Sequence, residues 1–485
     1  MPGPTRLGRQ MRAKRLLGFA VVFCCFLALA AGGLAVIAWQ PAIAPIVRPP
    51  ATSFDPGLVK LGAELAAIGN CDVCHTVPGG RELAGGRAVP TPFGTIYSTN
   101  ITPDDETGIG NWPEAAFRRA MRLGVRRDGA YLYPAFPYDH FTLVSDDDDK
   151  ALYAYLMTRQ PIRAQAPADK LPFPLDIRLV MFGWNLLFLH PGPYRAGAAH
   201  DASSNRGAYL AEGLGHCGAC HTPRNALGAE KPNRKFAGSV VDGWTAYALN
   251  AASPAPVPWN AEALDHYLRH GFDENHGVAR GPMSDVADDL RSASAEDVRA
   301  IATYVAKHMN HAVPENDQVV QQVELQDARD KSHADASADS QSNTLRAVDT
   351  ENDEGAVIYA GACAGCHEGP RALPYGGIDL ALSSAISGPS AGNLVNIVLY
   401  GLPAAEAVRA PIMPGFAAAM NDAQVAALAR YLRARFSDKG PWTAIARRIH
   451  DARSRQRVAT ASHAPADAPA PSGTAQRTNN EAQRQ

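Results

Sequence analysis

Three pentapeptides of the form C-x-x-C-H constrain this chain more than anything else in it: Cys71-Asp72-Val73-Cys74-His75, Cys217-Gly218-Ala219-Cys220-His221 and Cys363-Ala364-Gly365-Cys366-His367. Two thiols one helical turn apart match the two vinyl groups of one porphyrin, and the adjacent imidazole then faces the iron as its proximal ligand. A zinc site needs four ligands, usually two such pairs close together, whereas these pairs stand 146 residues apart. A redox dithiol has no use for the following histidine. Three repeats point to three covalently bound haem c (iron) groups. Their attachment points are Cys71, Cys74, Cys217, Cys220, Cys363 and Cys366, and their proximal ligands are His75, His221 and His367. No cysteine beyond Cys25 is then left for a disulfide.

A second pattern concerns the opposite face of each iron. Gly271 is followed twelve residues later by Met283, and Gly401 twelve residues later by Met413. An amphipathic helix precedes each glycine, and each methionine lies between a haem motif and a closing helix. A lone methionine is usually core filler, but two at matched spacing read as thioether ligands of the kind that raise a haem's potential. The same count from Gly124 reaches Phe136, which cannot ligate iron. The nearest replacement is His140, in Tyr133-Pro134-Ala135-Phe136-Pro137-Tyr138-Asp139-His140, and His75/His140 ligation of the first haem is the expectation. The alternatives are a surface or propionate-contacting His140, with a five-coordinate iron or one bound by Met121, Met157 or Met181. His216 reads as a solvated helix residue.

The N-terminus supplies the compartment. Arg6, Arg9, Arg12, Lys14 and Arg15 precede an uncharged run of 24 residues, Leu16 to Trp39. At about 1.5 Å per residue this is long enough to cross a hydrocarbon core. The basic flank keeps the N-terminus in the cytoplasm and places the rest outside. A cleavable signal ending at Ala28-Leu29-Ala30 is the competing reading; both export the remainder. The expected location is the bacterial inner membrane, with the haem domains in the periplasm.

The remaining sequence divides by composition. The expected units are an anchor at 1–50, haem domains at 51–194, 195–312 and 354–440, an acidic flexible linker at 313–353 and a disordered tail at 441–485. Each domain opens with a short amphipathic stretch before its C-x-x-C-H. Each closes with a capped helix, Asp146–Thr158, Ala295–His308 or Asp422–Phe436, that places Tyr155, Tyr304 and Tyr431 alike as core packing. The apolar stretch Leu179–Leu189 is too short to span a membrane; it reads as ordinary core, with a docking surface or a second membrane contact as the alternatives. The fold expected is mainly α: three class-I-like cytochrome c domains in tandem behind one N-terminal transmembrane helix. A net charge of -2 argues against nucleic acid as a partner.

With these motifs the chain resembles the membrane-bound tri-haem cytochrome c subunits of bacterial periplasmic dehydrogenases. The resemblance spans roughly residues 50–440. Beside the haem motifs it rests on the run Thr91–Pro103 (TPFGTIYSTNITP), on Gly108-Ile109-Gly110-Asn111-Trp112, Tyr133-Pro134-Ala135, Ala151–Leu156 and Gly183-Trp184-Asn185. It implies a large dehydrogenase subunit as partner, a small iron–sulfur subunit in some complexes, and ubiquinone or a downstream cytochrome or oxidase as acceptor. It also implies axial roles for Met283 and Met413. The alcohol dehydrogenase branch carries Met where Phe136 stands. The Tyr133–His140 segment and Gly183-Trp184-Asn185 are more similar to the branch that serves molybdenum hydroxylases of aldehydes or N-heteroaromatics such as nicotinate.

No nucleotide-binding glycine turn, nucleophile elbow or zinc-hydrolase motif is present, so no substrate-level catalytic site is expected. The expectation is an electron-transfer subunit carrying electrons to ubiquinone or another respiratory acceptor from a dehydrogenase, which the resemblance makes a molybdenum hydroxylase or otherwise a quinoprotein alcohol or flavin gluconate or sorbitol dehydrogenase. The alternatives are a haem enzyme or gas or peroxide sensor with an open first iron, and a free membrane-tethered carrier.

Overall fold

The computed structural model of the chain describes residues 36–198, 201–310, 353–369, 375–403 and 410–462, with a few isolated positions before 36. The linker expected at 313–353 lies outside the described residues except for its last position, and the apolar run Leu16–Trp39 lies largely outside them. Among the described residues no helix is long and apolar enough to cross a membrane.

The chain is mainly helical. In order come α1 (Pro56–Ile68), α2 (Cys71–His75), the hairpin β1 (Ala88–Thr91) and β2 (Gly94–Tyr97), α3 (Glu114–Leu123), α4 (Tyr138–Phe141), α5 (Asp146–Met157) and α6 (Val180–Phe188). Next are α7 (Ala202–Tyr209), α8 (Cys217–His221), the hairpin β3 (Ser239–Val241) and β4 (Trp244–Ala246), α9 (Ala261–His270), the short pair β5 (Phe272–Asp273) and β6 (Gly277–Val278), α10 (Pro282–Leu290) and α11 (Ala295–Met309). Last come α12 (Glu354–Ala362), α13 (Ala364–His367), α14 (Ser384–Ser387), α15 (Gly392–Tyr400), α16 (Asp422–Phe436) and α17 (Ile445–Ser462). The three strand pairs are antiparallel and separate.

One helix crossing occurs three times. A Cβ at Gly62 of α1 would lie 2.0 Å from the Ala151 carbonyl and 2.7 Å from Tyr155 Cβ on α5. At Gly207 the same atoms of Ala300 and Tyr304 on α11 would lie at 2.0 and 2.8 Å, and at Gly355 those of Ala427 and Tyr431 on α16 at 2.4 and 2.7 Å. Backbones this close leave no room for a side chain. The three tyrosines therefore pack where opening and closing helices meet. Gly62 precedes Cys71 by nine residues, Gly207 precedes Cys217 by ten and Gly355 precedes Cys363 by eight. A π-helical turn, Leu210–Leu214, runs on from α7 and takes up the longer spacing in the second unit.

Side-chain caps fix the closing helices. Ser145 accepts from Asp148 N at the start of α5, Ser294 from Asp297 N at α11, and Asn421 with Gln424 forms a reciprocal capping box at α16. The first two units share one hydrophobic core, in which Leu65, Ile68, Leu152, Leu210, Leu214 and Val298 are buried. The third has its own, including Tyr359, Ile386, Val395, Leu428 and Ile449.

Two expectations are corrected here. The tail expected to be disordered from 441 contains α17, which begins at Ile445 and buries Ile445, Ile449 and Ala452 against the third core; apolar residues every three to four positions give a polar-looking segment a face to bury. The stretch Leu179–Leu189 is only half core. Met181 and Trp184 point inward, whereas Leu186 and Leu187 are exposed.

Candidate haem-binding sites

The first two C-x-x-C-H motifs each form a short helix just after the opening helix of their unit, and in the third Cys363 caps α13, so cysteines and histidine come from a single local segment. Asn70 and His216, directly before the first two motifs, adopt left-handed backbone angles (φ 49° and 36°), which turn the chain sharply into α2 and α8. None of the six thiols is in a disulfide. Burial pushes the Cys71 and Cys217 thiols up to about 12, and those of Cys220 and Cys363 to about 11. A reactive redox dithiol depends on a lowered value, so these surroundings oppose that reading.

The three histidines share one hydrogen-bond arrangement. His75 Nδ1 lies 2.5 Å from the Thr99 carbonyl, His221 Nδ1 2.6 Å from that of Tyr247, and His367 Nδ1 2.9 Å from that of Ile378. Donation from Nδ1 fixes the tautomer and ring angle and leaves Nε2 as the free lone pair, the usual second partner of a metal-bound imidazole. Burial lowers the pKa of His75 and His221 and favours the neutral ring that ligation requires. Sequence reasoning does not reach these carbonyl partners. Thr99 falls inside the distinctive Thr91–Pro103 run, and Tyr247 directly follows β4, so a signal exists for two of them.

A continuous, largely apolar cavity joins the second and third sites. Cys217, Cys220, His221 and Met283 line one part, and Cys363, Cys366, His367 and Met413 line the other. Met283 sits in the first turn of α10, after Gly281, whose missing side chain makes room for the Trp244 ring. Met413 is held by two backbone hydrogen bonds to Leu402. The glycines that start both counts, Gly271 and Gly401, have φ of 69° and 71°, and Gly124 has 62°. The twelve-residue spacing starts from a left-handed helix cap at Gly124 and Gly271 and from a differently turned, still positive-φ glycine at Gly401. Paired thiols, an imidazole with free Nε2 and a methionine on one apolar cavity fit a covalently bound haem at the second and third sites. The first site has the same thiols and imidazole, with Phe136 at the methionine position, packed against Phe141 at 5.2 Å. Met121, Met157 and Met181 are all buried in hydrophobic clusters.

His140 is placed differently from the expectation. Its Nδ1 lies 2.6 Å from the Glu212 carbonyl and its Nε2 2.7 Å from Glu230 Oε1. A Cβ at Gly218, inside the second C-x-x-C-H, would lie 3.1 Å from its Cε1. Both ring nitrogens are engaged, and these partners belong to the second unit. Glu230 could not be anticipated as its partner, because it is ninety residues away. His216 is also not solvated: it is half-buried, 5.6 Å from the Phe141 ring, and its Nε2 is 3.4 Å from the Gly69 carbonyl. Burial lowers its pKa to about 4.

Comparison with known proteins bears on these sites. Residues 350–432 match the family model described as cytochrome C oxidase, cbb3-type, subunit III. The chain is 44% identical over 422 residues to one of the subunits of nicotinate dehydrogenase from Pseudomonas putida, covering 86% of this chain and 33% of that protein. The chain thus spans about a third of that relative's length. It is 37% identical to the gluconate 2-dehydrogenase cytochrome c subunit of Pantoea cypripedii, covering 83% of this chain and 90% of the relative. It is 33% identical to the cytochrome c subunit of the quinone alcohol dehydrogenase of Gluconobacter oxydans, covering 83% and 84%.

Proposed function

Because the chain belongs to the cytochrome c subunits of bacterial dehydrogenases, we propose that it is the electron-transfer subunit of such a complex, with three class-I-like domains that each hold one haem c. A bound haem c supplies a one-electron couple at its iron. Cys71 and Cys74, Cys217 and Cys220, and Cys363 and Cys366 form the thioethers; His75, His221 and His367 present Nε2. Met283 and Met413 present Sδ at the second and third sites. His140 is left out of the ligand set, and the first site is the one without a methionine. Loss of that ligand gives the first site the lowest potential of the three.

The observation that carries this reading is the thrice-repeated unit of cysteine pair and carbonyl-oriented histidine, with the second copy in the middle. Its preceding segment packs on that of the first, Leu214 against Gly69, and its cavity opens into that of the third. This arrangement supports a reading in which three haem sites follow one another along the chain.

The partner in this reading is a large dehydrogenase subunit that oxidises aldehydes or N-heteroaromatics, and the acceptor is ubiquinone or another respiratory carrier. The 44% identity to a nicotinate dehydrogenase subunit supports the heteroaromatic choice. The run Leu16–Trp39 serves as a single inner-membrane anchor with the haem units in the periplasm. Purification through this chain from gently solubilised native membranes tests the assignment. A molybdopterin and iron–sulfur partner is expected. A quinoprotein or flavoprotein would move the substrate to alcohols, sugars or sugar acids, and a chain that purifies alone would overturn the subunit reading.

A further inference from the structure

Helix α6 has no charged residue and is apolar on both faces, yet only one face is covered. Met181 and Trp184 are buried, Trp184 Nε1 donates to the Leu227 carbonyl at 3.1 Å, and Tyr138 donates to Asn185 Oδ1 at 2.6 Å. On the other side Leu186 is 72% and Leu187 61% exposed, and Phe173, Ile177 and Val180 extend the uncovered surface along the preceding turn. An apolar patch of this kind on an exported chain calls for a cover.

Its position says which. The apolar run ends at Trp39, and Tyr131 ties that end to α6: its hydroxyl donates to the Ala38 carbonyl at 2.8 Å, and its ring lies 6.2 Å from that of Phe182. Arg178, one residue before the Leu179–Leu189 stretch, donates to the Tyr131 carbonyl at 3.1 Å. The segment after the run is fastened to the same unit through Ile43 N to the Arg127 carbonyl and Arg119 to that of Pro41. The first unit is thus clamped to the point where the chain would leave a bilayer, with α6 beside that point.

We propose that the outer face of α6, with Phe173 and Ile177, lies in the lipid interface as a second membrane contact; this rests on the anchor reading above. Leu186 and Leu187 enter the headgroup–acyl boundary as the apolar face of an interfacial helix does. The contact fixes the tilt of the first unit over the membrane, which a single flexible tether would leave free.

The test uses the full chain with its haems, reconstituted in the oxidised state in phosphatidylethanolamine–phosphatidylglycerol vesicles. A nitroxide is attached at Leu187→Cys in a Cys24→Ser, Cys25→Ser background, at Val240→Cys in the same background, or at native Cys25 in a Cys24→Ser chain. Collision with oxygen is compared with collision with a water-soluble nickel chelate. An unchanged haem spectrum certifies each labelled chain as folded. The proposal expects oxygen to be favoured at positions 25 and 187 and nickel at 240. Oxygen favoured at 25 with nickel favoured at 187 overturns the α6 contact and leaves the anchor standing. Nickel favoured at both 25 and 187 overturns the anchor and the contact together. Exclusion of both reagents at 187, with the dehydrogenase bound, makes the face a protein interface and also overturns the proposal.

Discussion

At the scale of single residues, His140 separates the ligand reading from the structural one. Burial opposes its charged form, but the hydrogen bond and charge of Glu230 prevail and raise its pKa. Glu230 is likewise pushed up by burial and then held below its ordinary value by His140. The histidine's contribution to stability is full below its unfolded pKa of about 6.5 and fades as pH rises through the raised folded value. The glutamate's is full above about 4.5 and fades as pH falls through the lowered one. The pair therefore holds the first two units together best between about pH 4.5 and 6.5. His140→Gln should cost about 2–3 kcal/mol there, below the full penalty for a stripped buried pair because both groups keep some contact with water. Thermal melts across pH check this: the difference from wild type should shrink on both sides of that window. The haem bands should not move, since this substitution removes no iron ligand; a low-spin to high-spin change would restore His140 to the first iron. The attachment motifs are legible in the sequence because porphyrin chemistry fixes their spacing locally. The pairing of His140 is not legible there, because its partners, Glu212 and Glu230, are distant in sequence.

At the scale of elements, the repeated crossing makes a sharp prediction. Gly62→Val and Gly207→Val place carbon where a backbone carbonyl lies 2.0 Å away. Each should force opening and closing helices apart, at a cost of roughly 1–3 kcal/mol or more. The result should be loss of haem from its own unit, read by haem staining of proteolytic fragments, with the third unit retained. The closing helices can be placed from sequence to within a residue or two, since Ser145, Ser294 and Asn421 are local cap signals. The crossing glycines escape such reading, because a glycine's close approach shows only when its distant partner, Ala151, Ala300 or Ala427, is in view. Helix α17 escapes it for a related reason: its Ile445, Ile449 and Ala452 are outnumbered by arginine and polar residues, and only the third core reveals what they bury against.

At the scale of the whole molecule, the order of the sites follows from two seams that sequence spacing does not show. One joins Ile68–Asn70 to Leu214–His216. The other joins the β3–β4 hairpin to α15: Thr245 N donates to Asn393 Oδ1 at 2.8 Å, Asn393 Nδ2 donates to the Thr245 carbonyl at 3.0 Å, and Asn396 Nδ2 donates to that of Gly243 at 3.1 Å. Asn393→Ala leaves the Thr245 groups short of partners and should weaken this seam by about 1–3 kcal/mol. Limited proteolysis should then release the third unit sooner, with the haem content of each fragment unchanged. The central claim is that all three motifs hold haem on one chain. Intact mass and peptide mapping of the purified full chain test it most directly. The account predicts a mass excess of three haems, one on each of the Cys71–Cys74, Cys217–Cys220 and Cys363–Cys366 peptides. Alkylatable free thiols at any of the three pairs would contradict it.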